Sequence, residues 1–275
     1  METDTSDKEA TMKYGFLGCG NMGGAIAKAL CDKTTDVMLT SKSNKTAANL
    51  AKVLGCSWTE DNKTVAESCD IIFLAVKPQM MADVLMPLAH ILQEKKPLLV
   101  SMAAGLSLNQ LNDMAGNNLA IVRIMPNTPA LIGKGMTTYC KNELVTDQQL
   151  HNLLEDLSAA GRFDAIDEKL MDAASAAAGC SPAYAYMFIE AMADGAVTCG
   201  LPRAKAIKYA AAALAGAAEM VLQTEEHPGK LKDAVCSPGG STIAGVRALE
   251  ENGFRGAVMD AIIAAWNRNQ ELGKQ

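Results

Sequence analysis

The sequence predicts an α/β fold, a doubly wound parallel sheet followed by an all-helical half, on three observations. From Tyr14 to about Ile166 short β-rich runs alternate with helical patterns, the rhythm of a parallel sheet covered on both faces. Asp70-Ile71-Ile72-Phe73-Leu74-Ala75-Val76 is apolar almost throughout, as expected of a strand buried on both faces. After Asp167 the β-branched runs disappear, and Leu170 to Ala265 is rich in Ala, Met and Leu at helical spacing.

Met1 to Met12 is polar and mostly acidic, without the basic start and apolar stretch of a secretory signal, and reads as a disordered extension, 1–12. In the mixed domain, 13–167, the clearest strands are Tyr14–Gly18, Val37–Thr40, Ile71–Val76, Leu98–Met102 and Ala120–Met125, separated by helices such as Gly24–Cys31 and Thr46–Leu54. The helical domain, 168–275, is punctuated by Gly200-Leu201-Pro202, Glu226-His227-Pro228-Gly229 and Ser237–Gly240. Its many alanines let helices approach closely but supply little bulk to fill a core. The expectation is a dimerisation domain that packs against a second copy of itself; the alternative is a self-contained bundle.

At 275 residues with a net charge of -6 and a pI near 5.2, the chain lacks the clustered Lys and Arg that nucleic acid demands. The longest apolar run, Tyr209 to Ala218, is too short to cross a bilayer, so no membrane segment is expected. Eight cysteines are scattered singly, without a C-x-x-C pair, and the three histidines lie apart from them. No metal site is expected, and free thiols fit a reducing, cytoplasmic location.

Gly18-Cys19-Gly20-Asn21-Met22-Gly23 follows the first strand directly and opens the first helix. In that setting Gly18 makes the tight turn, Gly20 lets the backbone approach a pyrophosphate, and Gly23 permits close helix–strand packing, the arrangement of a Rossmann-like dinucleotide domain. A glycine turn without ligand is the bland alternative. The second strand ends in Thr40-Ser41-Lys42-Ser43-Asn44-Lys45, with no acid to hold ribose hydroxyls. Hydroxyls such as Ser41 beside the cation Lys42 can receive a 2′-phosphate, which favours NADPH and leaves NADH possible. Ala75-Val76-Lys77-Pro78, Met102-Ala103-Ala104-Gly105 and Met125-Pro126-Asn127-Thr128-Pro129 each follow a strand, where such a sheet presents ligand-binding loops.

Ser237-Pro238-Gly239-Gly240-Ser241-Thr242 is a second glycine turn, followed by hydroxyls and a helical pattern, able to aim backbone N–H groups at an anion. Two such cradles suggest a cofactor and an acidic substrate. No G-x-S-x-G, no H-E-x-x-H and no histidine placed for acid catalysis occur. An iminium carbon is electrophilic without a protein acid, so reduction of a cyclic imine fits this absence.

These motifs, with Phe73–Gln79, Arg123–Pro129, Pro182-Ala183-Tyr184 and Gly200–Pro202, closely resemble the pyrroline-5-carboxylate reductase family from about Lys13 to Ala265. The resemblance implies reduction of 1-pyrroline-5-carboxylate to L-proline by NAD(P)H, the last step of proline synthesis, in a homodimer or a ring of dimers. It implies that Gly239, Gly240, Ser241 and Thr242 hold the substrate carboxylate, that the Thr242 hydroxyl meets the ring nitrogen as the catalytic contact, and that Glu168 lies near the substrate. It assigns Gly18 to Gly23, Ser41, Asn62, Ala75 to Pro78, Ala103 and Ala104 to the cofactor. The chain departs from the family pattern in two places, Ala234 where some members have Asn, and Gly179-Cys180-Ser181-Pro182 where others have Gly-Ser-Gly-Pro. Blander readings are that Ser241 and Thr242 cap the helix Ile243–Glu250 and that Glu168 is an ordinary first-turn residue. Glu190 and Asp194, four apart, read as a solvated face or one salt-bridged between subunits. Other functional readings are a relative acting on another cyclic imine or a β-hydroxyacid, and a silent NADP-binding scaffold or redox sensor.

Overall fold

Six parallel strands carry the first half of the chain in a computed structural model that describes residues 12–272. The extension expected over 1–12 therefore lies outside the described residues, except for the exposed Met12. The strands are β1 Tyr14–Leu17, β2 Val37–Thr40, β3 Ser57–Trp58, β4 Ile71–Leu74, β5 Leu98–Ser101 and β6 Ile121–Met125, followed by β7 Gly135–Lys141 and β8 Gly161–Ala165. The sheet runs β3-β2-β1-β4-β5-β6-β7-β8, and its first six strands follow the doubly wound order that reverses between β1 and β4.

The strand expected over Ile71–Val76 stops at Leu74, and those expected to reach Gly18 and Met102 stop one residue earlier. The released residues are the ones available to bind a ligand. The sheet is also not wholly parallel: β7 pairs antiparallel with β6, and β8 runs parallel to β7. Residues 126–134 are too few for a helical crossover, so the chain turns back beside β6. β8 is an edge strand whose residues are half-buried or exposed, which left it without an apolar pattern to read.

Two cores flank the sheet. Phe16, Ile26, Leu30, Leu39 and Phe73 anchor one face, with the Phe16 and Phe73 rings stacked at 4.5 Å. Leu17, Ile72, Leu74, Leu85, Leu99 and Ile121 anchor the other. Helix Asn21–Cys31 buries Ala25, Ile26, Ala29 and Leu30 at helical spacing, which seats its N-terminus over the end of β1.

The remainder is helical. By internal contacts the chain divides into one unit that ends at Gly179 and takes in the residues from Trp266 onward, and a second, Cys180–Ala265. The second unit holds helices Ser181–Thr198, Arg203–Thr224, Pro228–Val235 and Ser241–Glu251 and the start of Phe254–Leu272. Within it the fully buried hydrophobic residues are Ala193, Ala206 and Ala210, while Tyr186, Met187, Met220, Leu222 and Met259 are more than half exposed. Such a unit is part of an apolar core awaiting its other part.

Candidate active site

At the carboxyl ends of the central strands the hydrogen-bond ladder continues one step past the sheet. Gly18 N–H donates to Thr40 O at 3.1 Å, Ala75 N–H to Leu17 O at 2.9 Å, and Met102 N–H to Leu74 O at 3.1 Å. The loops predicted to hold the cofactor are thus laid side by side at the point where the strand order reverses, the usual ligand position in such sheets. Gly18 has φ +98, and a Cβ there would stand 2.8 Å from the Ala75 carbonyl oxygen. A Cβ on Gly23 would press on the Ala75 Cβ at 2.9 Å, so glycine at both positions is what lets the two loops touch.

Gly20 is different: a Cβ there would meet nothing within 4 Å. It occupies the cap position of helix Asn21–Cys31, no side chain caps the helix, and its first turn, with exposed Asn21 and half-buried Met22, holds no acid. An open backbone at a positive helix end fits a dinucleotide pyrophosphate. Around it, burial raises the pKa of the Cys19 thiol, against a smaller lowering pull from Ser41. Thr40 Oγ1 lies 2.7 Å from the Asn62 amide oxygen and 3.1 Å from the Phe16 carbonyl, which fixes Asn62 at the end of β2. Lys42 and Lys77 are exposed, Ala75, Val76, Pro78 and Ala104 are half-buried, and Ala103 is buried with its N–H 3.3 Å from Ser101 Oγ.

Glu168 is not an ordinary first-turn residue. Its Oε1 accepts from Arg123 Nη1 and from the Leu108 backbone N–H, each at 2.6 Å. Arg123 lies in the middle of β6 with only 6% of its side chain exposed, in register with Ser101 on β5 and Cys140 on β7. Burial pushes the Cys140 thiol up to about 11, against the pull of the Arg123 charge and with a smaller push from Glu168.

In the second unit the helix expected over Ile243–Glu250 begins at Ser241. The capping role weighed for Ser241 and Thr242 is not what the structure shows. Gly240 takes the cap position, no side chain caps the helix, and both hydroxyl residues lie exposed in the first turn. Gly239 has φ +68 with open space where a Cβ would be, and a Cβ on Gly240 would collide with Ser237 Oγ at 2.3 Å. Asp194 is ion-paired with Arg203 of the same chain, and His227 Nδ1 accepts the Gly229 N–H at 3.0 Å.

Residues 168–272 match a family model described as pyrroline-5-carboxylate reductase dimerisation, and residues 13–105 match one described as NADP oxidoreductase, coenzyme F420-dependent. The chain is 45% identical to pyrroline-5-carboxylate reductase of Escherichia coli K12, over 95% of this chain and 98% of that one. It belongs to the pyrroline-5-carboxylate reductase family. The enzyme of Pisum sativum is 38% identical over 94% and 95% of the two chains. The crystal structure of pyrroline carboxylate reductase from Plasmodium falciparum with NADP bound superposes with a TM-score of 0.87 at 34% identity, covering 96% of this chain and 98% of that one.

As a member of this family the chain is an oxidoreductase that reduces 1-pyrroline-5-carboxylate to L-proline with a nicotinamide cofactor. The exposed apolar side chains of the second unit belong to its dimerisation domain, and the chain self-associates through it. Among the described residues no helix is long and apolar enough to cross a membrane.

Three residues near the loops escaped the sequence reading as individual site positions: Thr40, Arg123 and Asn127. Asn127 is buried, donates from Nδ2 to Ala178 O and accepts the Met136 N–H at Oδ1, both at 3.0 Å. It thereby ties the loop after β6 to the π-turn Ser175–Gly179, an element often found at functional sites. The signal for Arg123 was present as a single charge inside the apolar run Ala120–Met125.

Proposed function

We propose that this reductase uses NADPH and holds the carboxylate of pyrroline-5-carboxylate at Gly239, Gly240, Ser241 and Thr242. The observation that carries the substrate assignment is the uncapped first turn at Ser241, opened by two glycines and lined by two exposed hydroxyls. Backbone N–H groups and a positive helix end there favour a carboxylate. The Thr242 hydroxyl serves as the contact to the ring nitrogen. A protonated imine carries its own activating charge, so the side chains bind and orient rather than supply a proton to the ring nitrogen during hydride transfer to carbon.

The glycine turn Gly18–Gly23, with Cys19, Asn21 and Met22 in its span, receives the pyrophosphate. Ala75, Val76, Lys77, Pro78, Ala103 and Ala104 line the remaining length of the cofactor, which when bound supplies the hydride. Ser41, Lys42 and Asn62 stand at the end of β2, where hydroxyl, amide and cation suit a 2′-phosphate. The NADP bound to the Plasmodium falciparum relative supports that choice. The eight free thiols fit a cytoplasmic enzyme.

Steady-state kinetics test both assignments. Thr242→Ala is expected to lower kcat and raise the KM for pyrroline-5-carboxylate by about tenfold each, the scale of one lost charge-assisted contact, with cofactor affinity little changed. The wild-type enzyme is expected to show the larger kcat/KM with NADPH. A Thr242→Ala enzyme that lost cofactor binding yet handled substrate normally would overturn the substrate assignment, and equal or better use of NADH would overturn the cofactor assignment.

A further inference from the structure

A charged side chain in the centre of a buried sheet calls for an explanation. β6 is buried at every position, and the neighbours of Arg123 on the same face, two residues away, are the apolar Ile121 and Met125. Arginine stays ionised at any physiological pH and is costly to desolvate, whereas an apolar residue of similar volume would fill the same space as stably or more so. The ion pair with Glu168 is therefore weak as a device for stability alone.

Its geometry gives a second indication. A guanidinium and a carboxylate left to themselves favour a two-point fork. Here the pair meets at one point, Arg123 Nη1 to Glu168 Oε1 at 2.6 Å, and the buried Arg123 Nε has no partner among the described residues. The carboxylate is turned instead so that the same oxygen takes the Leu108 N–H. Leu108 is the first residue of helix Leu108–Met114, and its N–H is one of the helix donors without an internal partner. The capping box satisfies the Ser107 and Gln110 N–H groups, and Glu168 takes that of Leu108, one of the two between them in the chain.

We propose that Arg123 is a positioning residue of the reductase: by anchoring Glu168 on the Leu108 N–H it fixes the course of residues 102–107, and with them Ala103 and Ala104. Through this contact, β6, the start of helix Leu108–Met114 and the chain beyond β8 are held in one geometry. The inference rests on the reading that Ala103 and Ala104 line the cofactor. In this proposal the effect of Arg123 passes through Glu168 and Leu108.

Arg123→Met, apolar and similar in length, is the test, read by hydrogen exchange at residues 102–108 and by kinetics on the dimeric enzyme. Expected are a folded dimer, Leu108 N–H exchange at least about tenfold faster, and kcat lower by about tenfold to a hundredfold, the scale of a reacting group misplaced by a fraction of an ångström. Arg123→Lys, which keeps the charge, is expected to recover part of both. Should the Met variant not fold, Arg123→Lys must by itself show the same changes at smaller amplitude. Exchange at Leu108 and kcat both within twofold of wild type would overturn the proposal. Faster exchange with kcat unchanged would overturn it too, leaving only a structural pair. Ala104→Leu separates the underlying reading: if it leaves cofactor affinity and kcat intact, the cofactor assignment of this loop fails, whatever Arg123 does.

Discussion

Tyr14 opens β1 with its ring in the core and its hydroxyl donated to Asp156. Burial first, and then the bond to Asp156, raise the phenol above the ordinary 10.0. Because the folded pKa is the higher one, the contribution of the neutral phenol is complete below about 10 and is lost as pH climbs from there toward the folded value. The melting temperature of the wild-type enzyme is therefore expected to fall above pH ~10 more steeply than that of Tyr14→Phe, which has no phenol to ionise. Parallel curves for the two would show that the pair carries no such linkage. Residues of this kind were only partly legible in the sequence. The glycines of both turns announced themselves, because few other residues tolerate their backbone angles or close contacts, as Gly18 and Gly239 show. Arg123 and Asn127 did not, because their roles depend on Leu108, Glu168 and Ala178, none of which lies near them in sequence.

The elements that were read correctly are those whose local pattern and tertiary burial agree. β1, β2, β4, β5 and β6 are apolar runs buried by the fold, and helix Asn44–Leu54 ends at a left-handed Gly55 as a helix should. β7 mixes threonines with half-buried residues, and β8 is an edge, so both depend on their neighbours for definition. Helix Asp147–Asp156 depends on its own first turn: Thr146 Oγ1 accepts the Gln149 N–H at 3.2 Å, and Gln149 Oε1 accepts the Thr146 N–H at 3.0 Å. Thr146→Ala removes half of this box and is expected to cost about 1 kcal/mol of stability, seen as earlier thermal unfolding. Since the box lies outside the proposed cofactor and substrate residues, kcat and both KM values are expected to stay at wild type. A change in either would mean that this helix reaches the site.

At the scale of the whole molecule, the helical unit has the composition of a core and the exposure of a surface. Self-association removes that contradiction, and mass action then makes stability depend on concentration. The melting temperature is expected to rise with protein concentration in the micromolar range, and sedimentation is expected to give a dimer or larger assembly. A monomer with a concentration-independent transition would contradict the role of this domain. By itself the sequence determined the fold class, the glycine turns and the family, since these rest on periodicity, on backbone conformations that few residue types accept, and on motifs in a fixed order. Only the tertiary structure decided that Ser241 and Thr242 are free of capping duty, that the last two strands run against the first six, and that Glu168 is held by Arg123. Each of these is settled by which groups meet in space, and a hydrogen bond or a strand pairing between distant residues leaves no period in the chain.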